Sequence, residues 1–214
     1  MIKEFVTELK GVLKKELPGV RAQHAMAPVR MEDLKRTFRH DIPPRQSAVL
    51  ILFYQVGDQI RFPLTVRQTY VGVHSGQISL PGGKRELSDQ DLSVTALRET
   101  EEEIGIARES VRMIGALSHH YVPPSNFNIQ PYLGYLDHTP VFVKDPKEVD
   151  QIVEVNVSDI IAPDLRKKTW IKPYQGVKIE APYFDIQNRV VWGATAMILS
   201  ELSEIIKQTQ YGNE

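Results

Sequence analysis

Leu80-Pro81-Gly82-Gly83-Lys84-Arg85-Glu86, continuing to Arg98-Glu99-Thr100-Glu101-Glu102-Glu103-Ile104-Gly105-Ile106, decides how this chain is read. Two adjacent glycines open a loop that leads into a helix dense in glutamate. At roughly 100° per residue, Glu99, Glu102 and Glu103 fall within a narrow arc of one helix face, as i, i+3 and i+4. Like charges at that spacing repel, and they sit toward the helix C-terminus, where the macrodipole disfavours anions. A divalent cation turns that repulsion into coordination. Mg²⁺ is a hard ion held by a few carboxylates plus substrate phosphates. Val94, Leu97 and Ile104 are the core-directed residues expected on the opposite face, and Gly105 supplies the stop signal. Arg98, four residues before Glu102, can orient its carboxylate.

Gly83, an acidic Glu86 or Asp89, and Arg98-Glu99-x-x-Glu102-Glu103-x-Gly105 together resemble the Nudix hydrolase signature. Gly83 to Arg98 is one residue longer than the common form, so the middle acidic position falls on Asp89 or Gln90. That insertion is typical of the family's coenzyme A pyrophosphatase branch. Upstream, Leu64-Thr65-Val66-Arg67-Gln68-Thr69 and His74-Ser75-Gly76-Gln77-Ile78-Ser79-Leu80-Pro81-Gly82-Gly83 resemble the segment that marks this branch. Pro123-Pro124-Ser125-Asn126-Phe127 and Trp192-Gly193-Ala194-Thr195-Ala196 extend the likeness over most of residues 47–200. The competing reading is a solvated acidic helix, which leaves the double glycine and Arg98 without a role.

The resemblance implies an α/β (α+β) fold, a Nudix α/β/α sandwich with a curved mixed sheet. It implies metal-dependent hydrolysis of a pyrophosphate, with coenzyme A or its acyl or oxidised forms split into 3′,5′-ADP and 4′-phosphopantetheine. Mg²⁺ or Mn²⁺ would be held by Glu99, Glu102 and Glu103. The catalytic set is Glu102, Glu103, Arg98 and Glu86, with Glu86 or Asp89 acting through water or by orienting Arg98. A box glutamate or a distant loop carboxylate, Glu148 or Glu154, is the candidate general base. Gly76, Gly82 and Gly83 let backbone amides approach a pyrophosphate. Arg67, Lys84, Arg85 and a protonated His74 are candidate contacts for phosphate oxygens, including the 3′-phosphate. A surface arginine and a loop-capping histidine are the plain alternatives for Arg67 and His74. Three other functions stay open: a Nudix activity on ADP-ribose, NADH or dinucleoside polyphosphates, a catalytically silent nucleotide sensor, and a structural partner protein.

At 214 residues the chain is long enough for one domain with a terminal extension, divided here as 1–46 and 47–214. With 42% hydrophobic and 25% charged residues it has an ordinary globular composition. A net charge of −1 gives no basic field for nucleic acid. The absence of cysteine excludes disulfides and thiolate metal sites. No apolar run suits a membrane span, and charges interrupt the start of the chain, so a cytoplasmic setting without a membrane partner is expected. Other signatures fail: Gly83-Lys84 lacks the remainder of a P-loop, and neither His-Glu-x-x-His nor Gly-x-Ser-x-Gly occurs. Adjacent His119 and His120 face opposite ways on a strand, so at least one is expected to be structural. Arg166-Lys167-Lys168 is expected to be a solvated loop.

Residues 2–17 carry helical spacing in Val6, Leu9 and Leu13, closed by Pro18-Gly19, and this helix packs on the body or on a partner in a homodimer. Residues 19–46 are a proline-punctuated linker with a short helix near Met31–Phe38. Strands are expected over Ser47–Tyr54, Ile60–Arg67, Val111–His119, Ile129–Asp137 and Ile152–Val157. A helical turn capped at Ser158 follows, then a hairpin or loop over 164–180 and two short strands around Asn188. A final helix spans Ala194–Gln208.

Overall fold

The computed structural model describes residues 1–28, 33, 38–68, 76–174 and 177–212, with the side chains of 172–174 and 177 outside the description. His74 and most of the expected helix near 31–38 lie outside the described residues. The fold is organised on strand β1 (Arg45–Val56), whose side chains alternate between two cores. Ala48, Leu50, Leu52 and Tyr54 face one side, and Ile51 and Phe53 the other. All are fully buried, which explains the uninterrupted apolar run.

One edge of β1 runs parallel to β7 (Phe127–Tyr135), from Arg45 beside Phe127 to Phe53 beside Tyr135. The other edge forks. Near its C-terminal end β1 pairs with β2 (Gln59–Arg67), and near its start with the short β4 (Gly82–Lys84). β2 then carries β3 (Ile78–Ser79) and β8 (Val149–Asn156). β5 (Arg112–Ala116) and β6 (His120–Val122) pair with β7 and complete a mixed eight-stranded sheet. A second, antiparallel sheet is built from β9 (Arg166–Tyr174), β10 (Val177–Ile186) and β11 (Arg189–Trp192). A cavity bordered by Arg67 of β2 and by Gly82, Gly83 and Lys84 of β4 lies at this fork.

Helices cover both faces. Helix α1 (Ile2–Val12) buries Ile2, Phe5, Val6, Leu9 and Val12 in the core that receives Ile51 and Phe53. Phe5 meets Phe53 edge-on, with ring centroids 5.1 Å apart. Fully burying such side chains stabilises the fold by about 1.5–3 kcal/mol each. The helix packs on the body of its own chain, the first of its two expected placements. It ends at Val12 instead of reaching residue 17. The short α2 (Gly19–His24) follows. The last helix, α5 (Gly193–Ile206), adds Met197, Ile198, Leu202, Ile205 and Ile206 to the same core.

The glutamate helix, α3 (Leu92–Ile104), lies on the opposite face with Ala96 and Ile104 inward. Val94 and Leu97 are only half-buried, whereas Arg98, Thr100 and Glu103 are buried, so the expected apolar face is rotated. The helix turns charged groups into the protein, where Asp89 receives Arg98 and the Gly82 N–H receives Glu103. Helix α4 (Val157–Ile161) is capped by Asn156, not Ser158, in a reciprocal box with Asp159. Arg166-Lys167-Lys168 opens β9 instead of forming a loop, and Lys167 and Lys168 pair with Asp185 and Glu180 across to β10. Among the described residues no helix is long and apolar enough to cross a membrane.

Candidate active site

The two glycines of β4 do different work. Gly82 has φ of +151°, and a Cβ there would lie 2.3 Å from the carbonyl oxygen of Ala48. Only glycine lets the backbone approach β1 so closely in that conformation. A Cβ on Gly83 would instead lie 2.4 Å from the carboxyl carbon of Glu99. The first glycine admits the strand, and the second leaves room for a carboxylate.

Arg98 is the hub. Its Nε donates to Asp89 Oδ1 at 3.0 Å and an Nη2 to Asp89 Oδ2 at 3.1 Å, a two-pronged pair. Its Nη1 reaches Glu102 Oε2 at 2.8 Å and Glu99 Oε1 at 2.9 Å, and Nη2 also donates to the Lys84 carbonyl at 3.0 Å. Asp89 is buried and accepts further hydrogen bonds from the Glu86 N–H and the Thr95 hydroxyl. The Arg98 guanidinium and these donors hold its carboxyl well below the usual carboxylate range. The acidic residue that orients Arg98 is thus Asp89. Glu86 is exposed and contributes its backbone N–H to Asp89.

Glu99 and Glu103 present the opposite electrostatics. Glu103 is 4% exposed, and burial pushes its carboxyl up to about 8. The charge of Arg67 and the Gly82 N–H, 3.2 Å from Oε2, oppose that rise incompletely. Burial also raises Glu99, against the pull of Arg98. Glu148 adds negative potential at both. It arrives on the loop after β7, which is pinned to the end of α3: Val143 N–H donates to Ile104 O at 3.0 Å and Asp145 N–H to Glu103 O at 3.1 Å. A Cβ on Gly105 would strike Val143, so the left-handed stop residue also seats this loop. Glu154 is remote from the box. It accepts from Tyr54 Oη at 2.8 Å, at the end of β1 opposite β4.

Among the described residues no three acidic or histidine side chains converge into a ready metal chelate. The expected cage of Glu99, Glu102 and Glu103 is not preformed, because Arg98 draws Glu99 and Glu102 to itself. The donor chemistry still fits a hard divalent ion. Every candidate ligand is a carboxylate, burial raises two of them despite the nearby Arg98 and Arg67, and Mg²⁺ needs only one or two carboxylates beside substrate phosphates.

A cavity of about 460 Å³ opens beside β4. Arg67, Gly82, Gly83 and Lys84 line its box side, and Val49, Phe127, Ile129, Trp192, Met197 and Ile198 form an apolar wall. Gly76 does not line it. That glycine is exposed, with φ of +67°, in the turn before β3. Arg85 is spent locally, donating to the carbonyls of Asp89 and Gln90 at 3.0 Å each. Sequence reading missed Ser47 and His120, which also line the cavity. The lone signal for them was the His119-His120 pair, of which His120 is the buried member.

The family model of the NUDIX domain matches residues 44–175, more than half of the chain. Nudix hydrolase 22, chloroplastic, of Arabidopsis thaliana is 30% identical over 213 residues, covering 96% of this chain. The chain spans 66% of that protein's length, just under two thirds. The Nudix hydrolase NudL of Yersinia enterocolitica is 30% identical over 142 residues, 66% of this chain and 71% of that one. Among solved structures, the Nudix hydrolase RenU of M. smegmatis superposes with a TM-score of 0.54 at 14% identity, covering 77% of this chain and 86% of RenU, a likeness of fold. With the box helix, the double glycine and the Arg98 hub in their places, this chain belongs to the Nudix hydrolase family.

Proposed function

We propose that the chain is a metal-dependent pyrophosphohydrolase that splits coenzyme A, or an acyl or oxidised form, into 3′,5′-ADP and 4′-phosphopantetheine. The observation that carries the substrate is the cavity of about 460 Å³ continuous with the β4 glycines. It offers a largely apolar room beside the box, suited to a substrate whose anhydride lies at the glutamates and whose uncharged, flexible arm extends away. The Leu64–Gln77 segment supports the same choice over ADP-ribose or NADH, whose groups beyond the anhydride are polar ribosides instead of a flexible chain.

Glu103 and Glu99 would hold Mg²⁺ or Mn²⁺, with Glu102 joining through water or on release from Arg98. When bound, the metal neutralises phosphate charge and lowers the pKa of a coordinated water. Arg98 is a positioning residue: fixed by Asp89, it sets the directions of Glu99 and Glu102. Arg67 and Lys84 bind phosphate oxygens at the mouth of the cavity, and Arg67 also tempers the charge of Glu103. Glu148, the loop carboxylate whose field reaches the box, is the group we assign to accept the proton of the attacking water.

The test is product identification by mass spectrometry. Full-length protein with Mg²⁺ or Mn²⁺ is incubated in parallel with coenzyme A, ADP-ribose and NADH, beside a Glu103→Gln control. Release of 3′,5′-ADP from coenzyme A, lost in the control, is the expected result. Faster turnover of ADP-ribose would retain the chemistry and refute the substrate. Silence on all three would favour a nucleotide sensor.

A further inference from the structure

The cavity contains a polar device that pyrophosphate hydrolysis does not use. His120, in β6, is 4% exposed and lines the cavity beside the apolar Val49, Ile129, Met197 and Ile198. A buried relay fixes its tautomer. Glu201 of α5 is fully buried, and its oxygens accept the N–H groups of Gly19 and Ser118, each at 3.2 Å, and Nε2 of Gln23 at 2.9 Å. Gln23 Nε2 also faces the carbonyls of Ser118 and His119, at 3.3 and 3.4 Å. Three acceptors surround that atom, so the amide cannot be flipped. Gln23 Oε1 therefore faces His120 Nδ1, 3.0 Å away. Oε1 only accepts, so Nδ1 carries the proton and Nε2 is left with a lone pair.

Among the described residues nothing bonds Nε2, and the ring edge is left to the cavity. Burial, with a smaller contribution from His24, pushes the imidazole down to about 4 and keeps it neutral near pH 7. A neutral acceptor on a wall of Val49, Ile129, Met197 and Ile198 is costly to cover with hydrocarbon and favourable to cover with a donor. We propose that this cavity seats the uncharged arm of the substrate and that His120 Nε2 accepts a hydrogen bond from an amide N–H on that arm, selecting substrates that carry one. The identity of the arm rests on the coenzyme A reading, since pantetheine is a flexible chain with secondary amides. The acceptor and the cavity stand on the geometry alone.

The first experiment uses the wild-type full chain labelled with ¹⁵N-histidine, with two-bond ¹H–¹⁵N NMR reading the tautomer. The expected result is an Nδ1–H tautomer at His120, with Nε2 moving on addition of millimolar pantetheine and not of 3′,5′-ADP. An Nε2–H tautomer, or an Nε2 indifferent to pantetheine, overturns the proposal. In kinetics, His120→Phe should raise KM for coenzyme A about 10-fold through the lost hydrogen bond, with kcat within about 2-fold. The Ki of 3′,5′-ADP, which has no arm, should not change. An equal rise in both constants, or in neither, overturns the proposal. If coenzyme A is not hydrolysed yet pantetheine still moves Nε2, the substrate reading fails and this inference stands. If coenzyme A is hydrolysed while Nε2 stays silent, this inference alone fails.

Discussion

Adding one methyl group at each of two neighbouring glycines should produce opposite phenotypes. In Gly82→Ala the new Cβ meets backbone: Ala48 O at 2.3 Å and Val49 Cα at 2.6 Å, at a φ of +151°. Backbone strain of about 1–3 kcal/mol and overpacking of about 1–3 kcal/mol then act together. A total near 4 kcal/mol corresponds to a fall in Tm of about 10 °C for a chain of this size. In Gly83→Ala the atoms nearest the new Cβ are those of the Glu99 carboxylate, at 2.4–2.5 Å. That carboxylate is the far end of a flexible side chain held by Arg98 at 2.9 Å, so moving it should cost about 1–2 kcal/mol and lower Tm by about 5 °C at most, half the fall in Gly82→Ala. The swing displaces a candidate metal ligand by an ångström or more, which typically costs on the order of 100-fold in rate. Thermal unfolding by circular dichroism and kcat on coenzyme A, measured for both variants, separate the two effects. A Gly83→Ala enzyme with wild-type kcat would remove Glu99 from the site, and a Gly82→Ala protein of wild-type Tm would refute the close approach of β4 to β1.

Three further outcomes are expected. Asp89→Asn breaks the buried pair with Arg98 and should cost about 3 kcal/mol by chemical denaturation, whereas Glu86→Gln stays within about 0.5 kcal/mol; equal costs would refute the assignment of Asp89 as the orienting acid. Mg²⁺ or Mn²⁺ at about 100 times its Kd should stabilise the wild type by about 2.7 kcal/mol, and a Glu103→Gln protein that gains as much would exclude Glu103 as a ligand. His120 gives a pH dependence: its folded value, about 4, lies below the ordinary 6.5, so the unfolded chain binds the proton first as pH falls. Stability should drop by up to about 3 kcal/mol between pH 6.5 and 4, and in His120→Phe that part of the slope should vanish.

Strong local signals carried much of this protein into view from its sequence. The apolar run of β1, the strand β2 that follows it and the last helix, α5, all follow from short-range patterning, and each forms within a few residues of its expected bounds. Helix α3 shows where such patterning fails. Its Arg98 and Glu103 are inside and Val94 is at the margin, because pairing with Asp89 and Gly82 outweighs the usual preference for apolar burial.

The spacing of Glu99, Glu102 and Glu103 on one helix, with Arg98 a turn before Glu102, was determined by the sequence itself, since 3.6-residue periodicity is a local property. Three things were decided only by the tertiary structure. Asp89, not Glu86, orients Arg98, because a loop closure selects which of two acids meets the guanidinium. The negative field of Glu148 is felt at Glu99 and Glu103 while Glu154 is taken up by Tyr54, because the loop after β7 is pinned to the last turn of α3. The cavity and its His120 acceptor arise from residues far apart in the chain, where Gln23, His120 and Glu201 meet with separations of 97 and 178 positions. Contacts at that range depend on how the sheet forks and how α2 and α5 pack against it, and no local pattern encodes them.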